Sequence, residues 1–294
     1  MLNQDQINQE IELVSTLKLL AQSYEEISVL RIQNVKGSVL ATRDFLEKLS
    51  EVYMDVRTNY KHAIAELEQR HRKRSNVLLF KTNIKNGKEV SVFVSANSKF
   101  YGGVVEKVFI LYKDYILKHD TELVVIGKVG KELMENAGIN KQFTFYDVPD
   151  TRVSLDNLQP VMQYITNFEK VNVFYPRFLN MVSQDPAMVH LSGEDIMPNQ
   201  NAMHASYTKY FFEPSLAVIL EFFESQVLTS DFKQTVHEGE LARLAGRIRA
   251  MEEMLSNIED KQKELAMQSL RLKKSTDNKK RIESLAGMFL WTRA

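Results

Sequence analysis

LARLAGRIRAMEEMLSNI, residues 241–258, is the stretch on which the fold turns. In it Leu241, Leu244, Ile248, Met251, Leu255 and Ile258 recur in 3-4-3-4-3 steps, and Leu265 and Leu272 continue the row every seventh residue. Such spacing draws one apolar seam along a helix and is the signature of a coiled coil. A seam of this kind is not stable alone in water and requires a partner.

Working outward, the segment back to Glu213-Pro214-Ser215 reads as the start of the same helix, with proline in the first turn. Toward the C-terminus the seam fades among Lys273, Lys274, Lys279, Lys280 and Arg281, and the chain closes on an apolar run from Leu285 to Trp291. The other end of the chain carries a similar pattern. Leu13, Leu17, Leu20, Tyr24 and Ile27 lead, after a phase shift, to Ile32, Val35 and Val39, then to Leu46, Leu49, Tyr53, Val56, Tyr60, Ile64 and Leu67. This predicts a helix of about 65 residues, or ~100 Å at 1.5 Å per residue. It ends in the basic run Arg70 to Arg74, where cations suit the negative helix C-terminus. Helix breakers are rare at both ends: the six prolines all lie between Pro149 and Pro214, and Gly37 is the sole glycine before residue 87. Two seams in one chain make each other the economical partner, and the chain path makes them antiparallel.

The middle reads differently. Val77–Phe80, Val90–Val94, Leu123–Ile126, Phe143–Tyr146 and Val171–Tyr175 are strand-like. Helices are expected over Val104–His119, Lys128–Asn136 and Leu155–Phe168, and residues 192–206 read as a mobile loop. Strand and helix alternating at this spacing imply a mostly parallel sheet covered by helices. The expected division is 1–75 for the first long helix, 76–205 for the α/β domain and 206–294 for the second long helix.

Composition limits the chemistry. The 294 residues carry 38 Lys+Arg and 38 Asp+Glu, so the net charge is zero, which argues against general nucleic-acid binding. There is no cysteine, hence no disulfide, thiolate metal site or cysteine nucleophile. No basic and apolar leader and no stretch of membrane-spanning length is found, so a soluble, cytosolic chain is expected that meets a membrane only through partners. Gly127-Lys128-Val129-Gly130-Lys131 has two residues between its glycines and Glu132 after the lysine. A phosphate-binding loop needs four residues there and a Ser/Thr after the lysine, so this is a strand-to-helix turn. Tyr101-Gly102-Gly103 is read as another tight turn. The six histidines, at 62, 71, 119, 190, 204 and 237, show no metal-ligand spacing. No catalytic, cofactor or metal residue is assigned, and the chain reads as a mechanical part rather than a catalyst.

Several stretches together resemble the gamma subunit of F-type ATP synthases, in a divergent, bacterial-type form. Ile11 to Leu49 aligns with that family's first helix, best over Val39–Arg43 with Phe45, Glu47, Lys48 and Leu49. Val94 to Gly103 resembles its ITSDRGLCGG turn, Glu122 to Gly130 its VELVVIGRKG strand, and Gly246 to Met251 its ARMxAM signature. The resemblance implies a long antiparallel two-helix coiled coil with an inserted, Rossmann-like α/β domain. It implies a non-catalytic rotor shaft that couples proton or sodium flow to the catalytic sites. Its partners would be the alpha and beta subunits of the head, the epsilon subunit and the membrane rotor ring, at the cytoplasmic face of the cell membrane. Arg247, Arg249, Lys273 and Lys274 become candidates for rotor–stator contact. Met288, Phe289, Leu290 and Trp291 become the apolar bearing tip, and Tyr101, Gly102 and Gly103 the foot turn. The family's first helix is usually strongly basic; between Ser15 and Asn34 this chain has only Lys18 and Arg31, with Glu25 and Glu26 between them. The alternatives are a coiled-coil scaffold, a rotor of a related rotary ATPase with another role, or a ligand-binding α/β domain with a coiled-coil handle.

Overall fold

The computed structural model describes residues 4–70, 87–139, 141–150, 153–191 and 216–291. Helix α1 spans Gln4–Arg70 and α5 spans Leu216–Trp291. Between them come β1 (Glu89–Val94), α2 (Val104–Lys118), β2 (Glu122–Ile126), α3 (Lys128–Asn136), β3 (Phe143–Tyr146), α4 (Leu155–Ile165), β4 (Lys170–Phe178) and β5 (Gln184–Leu191). The chain divides into two compact units, Met1–Leu30 with Arg247–Ala294, and Arg31–Gly246.

The larger unit holds one sheet in the order β3-β2-β1-β4-β5. β1 to β4 pair in parallel, and β5 is added antiparallel to β4. Each parallel step needs a crossover, and α2, α3 and α4 supply the three. Side chains alternate between the two faces of a strand, and both faces here are buried. Val90, Val92, Val94, Val124, Ile126, Val171, Val173 and Tyr175 meet Leu158, Val161, Met162 and Ile165 of α4 with Phe232 and Val236 of α5. Phe93, Leu123, Val125 and Phe174 meet Val105, Val108, Phe109, Tyr112 and Ile116 of α2 and Met134 of α3. Tyr112 stacks on Phe93 at 5.2 Å and meets Phe174 edge-on at 5.3 Å. α4 starts at Ser154, whose hydroxyl and Asn157 form a capping box. In the same unit, Leu49, Tyr53 and Val56 of α1 pack on Ile219, Phe223 and Val227 of α5.

In the smaller unit α1 and α5 run antiparallel. Gln4 Nε2 donates to Ser269 Oγ (3.1 Å), and Lys18 pairs with Glu259 (3.3 Å). Val14 and Leu17 pack against Met254, Ile258 and Leu265.

Most of the α5 seam is buried as its spacing predicts: Leu241, Leu244, Ile248, Met251, Ile258 and Leu265 are buried, and Leu255 and Leu272 are half-buried. The first part of the α1 seam needs correction. Leu13, Leu20 and Ile27 are 60%, 50% and 43% exposed, while the buried row is Ile7, Val14, Ala21 and Ser28. The buried row lies one residue later, a rotation of about 100° on the helix. Small side chains at Ala21 and Ser28 let another helix approach closely, and Ser28 Oγ is satisfied by Tyr24 O at 2.7 Å. A search for large apolar residues passes over such positions.

The expected strands and helices from Val90 to Tyr175 are present, β3 and α3 with the expected ends. α4 stops at Ile165, short of Phe168. β5, absent from the sequence reading, follows β4 directly. The expected strand at 77–80, most of the basic run 70–74, the loop at 192–206 and the start at 213–215 lie outside the described residues.

Candidate functional site

In an open parallel sheet ligands bind outside the carboxyl ends of the strands, where the crossovers part to opposite faces. That place lies at the end of β1, and the chain's own side chains fill it. Asp150, on the segment between β3 and α4, takes the backbone N–H of Asn97 on Oδ1 (2.7 Å). Its Oδ2 takes the N–H of Ser98 (2.7 Å) and the hydroxyl of Tyr101 (3.1 Å). Asn97 in turn donates to Asp147 Oδ1 (2.7 Å) and Val148 O (2.9 Å), and accepts from Lys128 N–H at the start of α3 (2.8 Å). Lys128 also pairs with Asp147 at 3.2 Å. The N–H groups that would cradle a phosphate in such a fold therefore hold an internal carboxylate.

The glycines explain the close fit. Gly127 has φ 95°, and a Cβ there would lie 2.7 Å from Ala96 O. A Cβ on Gly130 would lie 2.5 Å from Ser95 Oγ, which accepts the Gly130 N–H at 2.8 Å. The stretch from Gly127 to Lys131 thus packs the turn and the start of α3 against the end of β1. The turn at Tyr101, Gly102 and Gly103 is equally tight. Phe100, Gly102 and Gly103 all have positive φ (71°, 64° and 74°). Tyr101 is buried, whereas Phe100 is exposed. α5 crosses this turn at Gly246, where a Cβ would lie 2.6 Å from Tyr101 O. Beside it is a cleft of about 260 Å³ lined in part by Phe100, Val105, Val129 and Leu133.

Other polar groups are tied into structure. Tyr115 donates to Glu89 Oε1 at 2.6 Å, and Asn172 Nδ2 donates to Tyr115 Oη at 3.1 Å and to Glu89. Burial first, and then Glu89, push the Tyr115 hydroxyl up to about 12. His190 meets Asn172 Oδ1, and His119 stacks on Tyr115 at 4.0 Å. On α5, burial pushes Asp231 up to about 6 and raises Glu238, which Tyr175 contacts at 3.4 Å. Among the described residues no cluster of three or more His, Cys, Asp or Glu side chains is placed to hold a metal. Asp150 and Asp231 escaped the sequence reading because neither lies in a motif; their roles arise from residues far along the chain.

The contact candidates fall in different settings. Arg247 is buried, its guanidinium 5.5 Å from the Tyr24 ring. Arg249, Lys273 and Lys274 are exposed. Met288 is exposed, and the side chains of Phe289, Leu290 and Trp291 lie outside the described residues. No helix among the described residues is long and apolar enough to cross a membrane.

Two long terminal helices and an inserted, mostly parallel sheet whose ligand position is occupied by the chain's own side chains define the class of fold. Residues 3–276 match the ATP synthase family, and the chain belongs to it. Its relatives there are gamma chains. It is 25% identical over 177 residues to the ATP synthase gamma chain of Staphylococcus carnosus, covering 57% of this chain and 60% of that one. It is 22% identical over 298 residues to that of Staphylococcus saprophyticus, covering 96% of each. The central stalk of Tetrahymena thermophila mitochondrial ATP synthase has a similar fold, with TM-score 0.55 and 13% identity over 80% of this chain and 98% of that one. The expectation of a divergent gamma-type, non-catalytic subunit of an enzyme complex is thereby met.

Proposed function

We propose that this chain is the central-stalk rotor of an F-type ATP synthase. It couples ion flow through a membrane ring to the conformational cycle of catalytic alpha and beta subunits. The observation that carries this reading is the antiparallel pairing of α1 with α5 in a chain of gamma-type relatives. A two-helix pair resists twisting, and its exposed charges are read by a surrounding head. On this reading the working parts are residues 1–75 and 206–294 as shaft and 76–205 as foot. Arg249, Lys273 and Lys274 contact the head directly. Arg247, held under Tyr24, sets the geometry of its neighbours. Met288 to Trp291 form the apolar bearing, and the turn at Tyr101, Gly102 and Gly103 belongs to the foot. The foot meets the epsilon subunit and the ring, and the complex sits peripherally on the cytoplasmic face of the cell membrane.

Co-purification tests the reading. The tagged chain should bring down nucleotide-binding alpha- and beta-type subunits, and removal of residues 285–294 should lower that assembly's ATPase activity several-fold. Isolation of a stable homodimer without those subunits would refute it.

A further inference from the structure

The hairpin between β4 and β5 turns through Leu179-Asn180-Met181-Val182-Ser183. Exposed tips of this kind are ordinarily polar and loosely held. This one is neither. Asn180 Oδ1 accepts the N–H groups of Val182 (2.9 Å) and Ser183 (2.8 Å), and the Asn180 N–H donates to Ser183 O (3.2 Å). Gln184, buried at the start of β5, donates from Nε2 to Asn180 O and Met181 O, both at 3.0 Å. These bonds fix the backbone of the tip. On that fixed backbone three large apolar side chains stand out: Leu179, Met181 and Val182 are 47%, 43% and 71% exposed. From Phe178 to Gln184 the chain carries no charge, and the flanking Arg177 and Asp185 are of opposite sign.

We propose that Leu179, Met181 and Val182 form an anchor that seats in an uncharged, apolar socket on a soluble subunit turning together with this chain. The inference rests on the rotor reading above and adds which residues hold a co-rotating partner and by what chemistry. Apolar side chains on a pre-ordered backbone lose little freedom on docking, which raises affinity for a fitting surface. The unbranched Met181 adapts to the shape of the socket. The tip exposes roughly 300 Å² of apolar surface, short of the ~800 Å² that each partner of a stable interface buries, so it is the centre of a larger contact. Its lack of charge separates the partner from an anionic membrane or a nucleic acid, each of which selects Lys and Arg. A stationary partner is disfavoured on the same chemistry, because every step of rotation would return three large apolar side chains to water. A partner fixed to this chain buries them once.

The test uses the purified assembly containing the full chain, with the photoreactive residue benzoylphenylalanine in place of Val182. Irradiation should join the chain to one soluble subunit other than alpha and beta, identified by peptide mass. The yield should be the same at rest and during ATP turnover, and ATP hydrolysis should be retained, since a link between two parts that turn together blocks nothing. In a second arm, Leu179→Asp combined with Val182→Asp should leave alpha and beta bound and lower retention of that subunit at least about tenfold. Unchanged helix and strand content would verify folding, Val182→Ile should retain the subunit, and the photoreactive arm decides alone if the double variant does not fold. A link to alpha or beta that halts hydrolysis, a link only to the membrane ring or to lipid, no link to any subunit, or full retention by the folded double variant would overturn the socket and leave the rotor reading intact. A native chain that brings down no alpha and beta subunits would overturn both.

Discussion

Asp150 shows how one side chain can tie together segments far apart in the chain. Its carboxylate satisfies two backbone N–H groups and the Tyr101 hydroxyl. Replacement by alanine leaves those donors without this acceptor, and Asp150→Ala should lower unfolding free energy by about 2 kcal/mol in denaturant titration. Asp231 provides a pH signature. Burial raises it from 3.8 to about 6, so the folded chain holds its proton more tightly than the unfolded one. Its contribution favours folding below about pH 4 and is lost as pH rises through about 6. Asp231→Asn should flatten that dependence and stabilise the chain by roughly 2–3 kcal/mol at neutral pH, as followed by denaturation at pH 5 and pH 8. Neither residue could be singled out from sequence. The groups that give Asp150 its role come from the end of β1, about fifty residues away, and the burial of Asp231 comes from packing of α5 on the sheet side of the unit.

Among the elements, two of the helical glycines make a contrast. Gly37 lies within α1, and a Cβ there would meet nothing within 4 Å. Gly37→Ala should raise helix and protein stability by about 0.5–1 kcal/mol. Gly246 in α5 lies against the backbone of the turn at Tyr101. Gly246→Ala must push the helix off that turn and should cost about 1–3 kcal/mol. Thermal unfolding of the two variants should therefore shift in opposite directions. Sequence reading found α5 and its seam because Leu241 to Leu272 are large and strictly spaced. It found α1 but mistook which row is buried, because Ala21 and Ser28 carry the seam with little apolar surface. It missed β5, whose QDPAMVHL sequence contains Pro186 and alternates weakly. An edge strand tolerates proline, since only one side of it must bond.

For the molecule as a whole, the inserted sheet is not closed by its own crossovers. Phe232 and Val236 of α5 are buried in the same core as Val92 and Val173. A fragment of residues 76–205 should therefore expose an apolar sheet face, bind a hydrophobic dye and unfold with less cooperativity than one that also includes α5 to residue 246. A fragment that unfolds as cooperatively as the longer one would show that the domain is complete without α5. The core of the Arg31–Gly246 unit is thus completed by a stretch of α5.

The amino-acid sequence by itself determined the kind and order of the elements: long helices at both ends and a parallel βαβ core between them. Period, helix breakers and missing residue types are local properties, legible without a partner. The tertiary structure alone decided which face of α1 is buried and that Asp150 fills the ligand position. Each of these depends on what the folded chain brings alongside a residue, and spacing along one segment carries no record of it.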